Sequence, residues 1–560
     1  MPRQEHKSLR IESAAASSEQ PSGLSRLLEQ PWFTVLFAAF PAVSLYAANL
    51  DQIVLVDTIR AVLFSEMLLG FLFAASFPIL RDVRSAGALA GLSILAFFSY
   101  GPVYSVVKAA SLFGLIIGRH RYLLLLWILM LVAALVMLVR HRFSKRAARL
   151  ANLLALLLVA MPLTTAISRI GGITLTRNID SQSADGVTDS QANRILSELP
   201  DIYYIIADSY VRSDILLEDF GESNSDFIEF LAAQGFYVAD ESNANYLWTH
   251  QSLASSLNMA YLDDLLGGEE PGRRIRADEH IKHGLVRREL EALGYRTIAF
   301  PTGWVGTELF DADILLTPNM SRADELRTRD ALNEFEGQLL YQTAIRALLD
   351  LDQAGRTPAA GFIEDRMTRR FDVQREIVLG AFENLKTVPN IPGPKFVFAH
   401  IISPHRPYLF GPSGEPLDQS GPFTLSIDAE LPVDVERGYY RDQLIFVTRM
   451  LQETIQQIIE SSSRPLVIIV QGDHGFSPEL DWENVELPAL IARMGILNAY
   501  YLSAPCREGL YSTVTPVNTF RHVFSCELGL EYPLLEDVTY IGYDSFTPLS
   551  EVVPILGTEP

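Results

Sequence analysis

A helical membrane domain followed by a large extracytoplasmic α/β domain is the architecture that this 560-residue sequence predicts, and three observations predict it. Five apolar runs fall within the first 170 residues; four short apolar runs beyond residue 200 are bounded by turn residues and flanked by helical patterns; and charge divides between the two parts. Residues 1–170 hold 16 Lys and Arg against 8 Asp and Glu, whereas residues 171–560 hold 29 against 59, so the net charge of −22 averages two unlike objects. That deficit argues against a nucleic-acid partner, which needs surplus Lys and Arg to meet phosphate. Two cysteines exclude a disulfide-built scaffold and a Cys-rich zinc module.

Residues 1–30 are polar and Ser-rich and read as a cytoplasmic N-terminus. The membrane domain, 31–170, carries apolar runs at 32–50, 61–80, 87–107, 122–139 and 150–168. About 20 residues at ~1.5 Å rise cross the ~30 Å hydrocarbon core. The stretch 87–117 is nearly continuous, which leaves a re-entrant piece open beside the count of five. A cleaved signal peptide fits poorly, since four more apolar runs follow the first and a small-residue cleavage site is lacking. The connection after the fourth run holds Arg140, Arg142, Lys145, Arg146 and Arg149, and the one after the second holds Arg81 and Arg84. By the positive-inside rule both face the cytoplasm, with Arg3, Lys7, Arg10 and Arg26, and an odd number of spans puts the rest of the chain outside. Glu66 lies in the second run, where a charge costs about 2.5 to 3.5 kcal/mol at the bilayer centre. It reads either as a lipid head-group contact or as an interior carboxyl that is protonated or paired.

Residues 171–198, rich in Gly, Ser, Asp, Gln and Asn, read as a linker. The rest, 199–560, suits one α/β fold with insertions. Its strands are 202–207, 297–300, 396–402 and 465–470, and amphipathic helices at about 224–234, 284–293, 366–386 and 437–461 cover the sheet. Glu269 to Arg276 and Gly411 to Gly421 read as surface loops.

The residues just past each strand carry the functional information. The runs end in Asp208-Ser209-Tyr210, Pro301-Thr302-Gly303-Trp304, Ser403-Pro404-His405 and Gln471-Gly472-Asp473-His474-Gly475. Ligand sites of open α/β sheets collect at the carboxyl ends of the strands, so Asp208, His405, Asp473 and His474 converge in this reading. Two carboxylates and an imidazole suit a divalent ion, Zn²⁺ or Mn²⁺ ahead of Mg²⁺ or Ca²⁺, with a hydroxyl as a further ligand. Thr249 precedes a short helical pattern, where helix N–H groups and dipole favour an anion and a metal would activate the alcohol as a nucleophile. Ordinary helix capping by Thr249 or Ser252, and an Asp-His pair that merely caps a helix, are the bland alternatives.

The ordered set Asp208-Ser209, Thr249-x-x-Ser252, Pro404-His405-Arg406-Pro407-Tyr408 and Asp473-His474-Gly475, behind five apolar runs, resembles the membrane-anchored sulfatase-like branch of the alkaline phosphatase superfamily. Lipoteichoic acid synthases and lipid A phosphoethanolamine transferases are familiar members. The resemblance implies an α/β/α sandwich of alkaline phosphatase and sulfatase type on a multi-pass bacterial cytoplasmic membrane anchor. It makes Asp208, Thr249, Asp473 and His474 ligands of one divalent metal, Thr249 the nucleophile that becomes phospho-threonine, and His405 a phosphate contact or leaving-group acid. Arg406, Ser252 and Trp304 join His405 as substrate contacts. His400, inside a strand, reads as a satisfied buried histidine. Cys506 and Cys526, on the oxidising side, could form a disulfide.

Three departures narrow the reading. Neither cysteine has the Cys-x-Pro-x-Arg context of a formylglycine sulfatase. Trp304 is followed by Val305 and Gly306, without the Trp-x-Arg of lipoteichoic acid synthases. Phosphoethanolamine transferases are usually richer in disulfides than one pair allows. The expected activity is transfer of a phosphoglycerol- or phosphoethanolamine-type head group from a phospholipid donor to an envelope glycan or lipid. Hydrolysis at the same site, or a metal-free sensor or scaffold, are the alternatives.

Overall fold

The computed structural model describes residues 29–49, 55–174 and 199–556, apart from 109–110, 113–114, 117, 267–272, 323–324, 326–329, 352–356, 420, 426–430, 483 and 544. The linker reading at 171–198 is corrected at 171–174, which are helical; its remainder and most of the polar N-terminus lie outside those residues. The chain divides into two compact units, 1–41 with 62–161 and 42–61 with 162–560.

The apolar runs are helical: α1 Phe33–Ala48, α2 Leu55–Leu80, α3 Val83–Val107, α4 His120–Arg140 and α5 Lys145–Thr174. Four of them, α2 to α5, are long and apolar enough to cross a membrane, and α1 is shorter at 16 residues. At ~1.5 Å per residue the described part of α1 rises ~24 Å, so the five apolar runs correspond to four full-length helices and one shorter one. Asp82 caps α3 by accepting the Ser85 N–H. Trp127 Nε1 of α4 donates to the Ala96 carbonyl of α3 at 2.8 Å, satisfying a polar group between two apolar helices. Residues 111–112 and 115–116 form a two-residue antiparallel pair after α3, so helix does not continue through the apolar stretch to 117. Glu66 is half-buried within α2.

The second unit is built on a seven-stranded sheet. In chain order the strands are β1 Asp201–Ala207, β2 Tyr237–Val238, β3 Arg296–Ala299, β4 Ile314–Leu315, β5 Lys395–Ile401, β6 Leu466–Gln471 and β7 Asn498–Tyr501, and in space they run β2-β7-β6-β1-β5-β3-β4. The five strands from β6 to β4 are parallel, and β7 is antiparallel to β6 and β2. The four predicted strands are the four longest of the parallel set; buried on both faces, they read as unbroken apolar runs. Alternate residues feed two cores. Tyr203, Ile205, Val397, Ala399, Ile468 and Val470 pack on one face against α6 Ser225–Gln234, α9 Pro358–Leu385 and α10 Val433–Ser461. Ile202, Tyr204, Ile206, Phe396, Phe398, Val467 and Ile469 pack on the other against α7 Thr249–Asn258, α8 Leu285–Ala292 and α11 Pro516–Glu527. The predicted α/β/α sandwich is the fold observed. One surface-loop reading is corrected: Arg273–Lys282 is helix, so Glu269 to Arg276 runs into its first turn.

At the amino ends of the strands Lys395 and Asp201 form a fully buried ion pair that Arg464 completes from the edge, Nε to Oδ1 at 3.0 Å. Cys506 and Cys526 are joined by a disulfide that ties helix 504–507 to α11.

Candidate metal centre

The carboxyl ends of β1, β5 and β6 bring the predicted residues to one place. Past β1, Ser209 takes a left-handed backbone (φ 66), and its N–H donates to Asp473 Oδ1 at 2.9 Å. Its carbonyl is held by the Tyr440 hydroxyl of α10 at 2.7 Å, so the turn that carries Asp208 is fixed from both sides. Past β6, Gly472 and Gly475 let the backbone bearing Asp473 and His474 approach its neighbours. A Cβ at Gly475 would meet the Ala492 carbonyl oxygen at 2.1 Å, and one at Gly472 the Tyr210 carbonyl oxygen at 2.5 Å.

Thr249 is the first residue of α7, after Trp248, whose side chain makes no cap hydrogen bond. Thr249 Oγ1 lies 3.2 Å from His474 Nε2. His474 Nδ1 sits 2.9 Å from the Gly475 carbonyl oxygen, which marks Nδ1 as the protonated nitrogen and leaves Nε2 facing Asp473 Oδ2 at 3.5 Å and Asp208 Oδ1 at 4.0 Å. Ser252 Oγ, one turn further along α7, is buried without a hydrogen-bond partner among the described residues.

His400 belongs to this cluster. It pairs in register with Ile206, two residues before Asp208, and its Nε2 is 3.4 Å from Asp208 Oδ2. Asp208, His400 and Asp473 each offer a ligand atom within 4.8 Å of the others, and all three are buried. His400 Nε2 and Asp473 Oδ2 are buried without hydrogen-bond partners among the described residues. A buried polar atom left unpaired is costly, and lone pairs converging from two carboxylates and two imidazoles fit a divalent cation. The reading of His400 as a satisfied core histidine is therefore corrected: its Nδ1 is engaged and its Nε2 is not.

Electrostatics support the same view. Burial works against ionising Asp208, but the imidazoles that face it, His405 foremost, outweigh burial and hold the carboxyl well below the usual carboxylate range. Asp473 is pushed up to about 6 by burial and by the charge of Asp208. His474 is held neutral by burial, with Arg493 beside it. Two buried carboxylates driven apart in this way form a centre that prefers a bound cation.

The remaining predicted residues sit around the rim. The His405 ring is 6.3 Å from that of His474, and its backbone N–H donates to the Asp208 carbonyl at 3.0 Å. Arg406 is turned to Glu436 of α10, which also accepts from Tyr408 Oη at 3.1 Å, so its guanidinium serves an internal ion pair. The Trp304 ring stands 6.2 Å from His400. Arg493, which sequence reasoning gave no role, is buried: Nη2 lies 3.3 Å from His474 Nε2, Nη1 donates to the Gly475 carbonyl, and the guanidinium lies 5.7 Å over the Trp248 ring. A basic residue on a largely apolar helix, 487–494, was its only local signal.

No family model and no curated protein matches the chain. Among solved structures, it is similar to the C-terminal periplasmic domain of EcEptC from Escherichia coli, at 13% identity over 63% of this chain and 93% of that one, with a TM-score of 0.38. It is similar over a longer span to the integral membrane lipooligosaccharide phosphoethanolamine transferase A of Neisseria meningitidis, at 10% identity over 88% of this chain and 94% of that one, TM-score 0.37. A third is BT1596, a 2-O GAG sulfatase, at 12% identity over 60% and 72%, TM-score 0.36.

Proposed function

We propose that the chain is a metal-dependent phosphotransferase that moves a phospho-head-group, of phosphoethanolamine or phosphoglycerol type, from a membrane phospholipid through phospho-Thr249 to a hydroxyl of an envelope glycan or lipid. The observation that carries this reading is the buried cluster of Asp208, His400 and Asp473, with His474 beside it and the Thr249 hydroxyl 3.2 Å from His474 Nε2. Those five residues would hold one divalent ion, Zn²⁺ or Mn²⁺, which supplies charge neutralisation and lowers the pKa of the threonine hydroxyl.

The protein's own groups account for the rest. Thr249 Oγ1, at the positive end of α7 and with its proton lost to solvent, forms a bond to phosphorus while the phosphorus–oxygen bond to diacylglycerol breaks. His405, half-exposed at the rim, gives its proton to the departing oxygen. Arg493 and the first N–H groups of α7 offset the charge that builds on the phosphoryl oxygens. An acceptor hydroxyl then attacks phospho-Thr249, passes its proton back to His405 and frees Thr249. The apolar helices would hold the site on the extracytoplasmic side of the membrane, beside a donor that is itself a lipid and at high effective concentration.

Full chain in detergent, incubated with head-group-labelled phosphatidylethanolamine or phosphatidylglycerol, tests the proposal. Release of diacylglycerol with label retained on the protein supports it. Release of free head-group phosphate without a labelled protein would favour direct hydrolysis and sink the threonine intermediate.

A further inference from the structure

The loop after β3 reaches the candidate metal centre through hydroxyl groups whose proton positions can be worked out. Thr302 Oγ1 accepts the Trp304 N–H at 3.1 Å and donates its own proton to the Trp304 carbonyl at 3.0 Å. That carbonyl has no hydrogen to give, so the Thr302 proton is committed. Thr307 Oγ1 lies 3.1 Å from Thr302 Oγ1 and must be the donor there. It also lies 2.9 Å from His400 Nδ1, and with its proton already given away it can only accept from that nitrogen. His400 therefore carries a proton on Nδ1. Glu308 keeps the loop in place by accepting the N–H groups of Thr302 and Gly303 at 3.0 and 2.8 Å. Thr302, Thr307 and His400 are all buried, so water does not compete for these bonds.

We infer that Thr307, oriented by Thr302, is a positioning residue that fixes the tautomer of His400 and so presents a bare Nε2 lone pair to the metal centre. The opposite tautomer would place N–H at Nε2, 3.4 Å from Asp208 Oδ2, where it would hydrogen-bond the carboxylate and lose the ligand. The inference rests on the metal-binding reading above. Outer partners of ligating histidines are worth about 10- to 100-fold in metal affinity, the scale expected for this hydroxyl.

The test is Zn²⁺ affinity of the full chain in detergent, measured by competition with a chromophoric chelator, for wild type, Thr307→Val, Thr307→Ser and Asp473→Ala. Thr307→Val should bind Zn²⁺ about 10- to 100-fold more weakly, with the Tm of its metal-free form close to wild type, and Thr307→Ser should restore affinity. Wild-type affinity in Thr307→Val would overturn the inference while leaving the metal reading intact. Equal and weak binding by wild type and Asp473→Ala would overturn both. If Thr307→Val fails to fold, ¹⁵N spectra of histidine-labelled, metal-free wild type decide the matter. His400 protonated at Nδ1 supports the inference, and a proton on Nε2 refutes it.

Discussion

Asp473→Asn should stabilise the metal-free protein while destroying its metal site. Asp473 sits beside Asp208 in a fully buried cluster, and burial together with that neighbouring charge pushes its carboxyl up to about 6 from an ordinary 3.8. That rise corresponds to roughly 3 kcal/mol against the ionised form at neutral pH. The sign follows from the raised value. The contribution of Asp473 is fully favourable below pH 3.8, where folded and unfolded chains are both protonated, and is lost as pH rises through about 6. Asparagine keeps the acceptor for the Ser209 N–H, which Asp473 Oδ1 now supplies, and removes the charge. In EDTA at pH 7 the variant should therefore be more stable than wild type by up to about 3 kcal/mol, a rise in Tm of roughly 5 °C for a domain of this size. Below pH 4 the two should converge. Added Zn²⁺ should raise the Tm of wild type by mass action and leave the variant unmoved. Thermal unfolding followed by intrinsic fluorescence from pH 4 to 7, with and without Zn²⁺, reads all of this. A variant less stable than wild type in EDTA at pH 7, or a gap that persists at pH 4, would refute the electrostatic account of the site.

Three further outcomes rest on named contacts. Metal uptake must displace the Asp473 proton, so Zn²⁺ affinity of wild type should fall about tenfold per pH unit below 6, a slope that a calorimetric titration checks. Lys395→Met leaves the buried Asp201 carboxylate with Arg464 alone and should cost about 3 to 5 kcal/mol by denaturant titration. Because Lys395 sits at the far end of β5 from His400, metal content per folded molecule should not change. Replacing both Cys506 and Cys526 with serine reopens a loop closed across 20 residues and should cost about 3 kcal/mol, with reductant reproducing the loss in wild type.

How much of this was legible in the sequence depends on how local each feature is. The four long parallel strands announced themselves as apolar runs, because a strand buried on both faces has no polar side to break its pattern. The edge strands Tyr237–Val238 and Ile314–Leu315, two residues each, are too short to show a period, and Asn498–Tyr501 mixes polar and aromatic residues. Asp208, Asp473 and His474 were visible because the turn after a strand is where such a sheet gathers its ligands. His400 lies inside its strand, and only the register of β5 on β1 places it beside Asp208. That pairing joins residues almost two hundred positions apart in sequence, beyond any local signal. Arg406 shows the opposite case: its position next to His405 suggested a phosphate contact, but the packing of α10 brings Glu436 to it, and a buried guanidinium takes the nearest carboxylate. Thr307 had no signal at all, since a threonine in a loop becomes informative only once its hydroxyl has a direction.

The central claim is that Thr249 carries the phospho-group, and one measurement addresses it directly. Zn²⁺-loaded full chain, quenched in acid after brief exposure to head-group-labelled phospholipid and mapped by mass spectrometry, should carry the label on Thr249, with none in Thr249→Ala. Label on Ser252, or full turnover by Thr249→Ala, would contradict it.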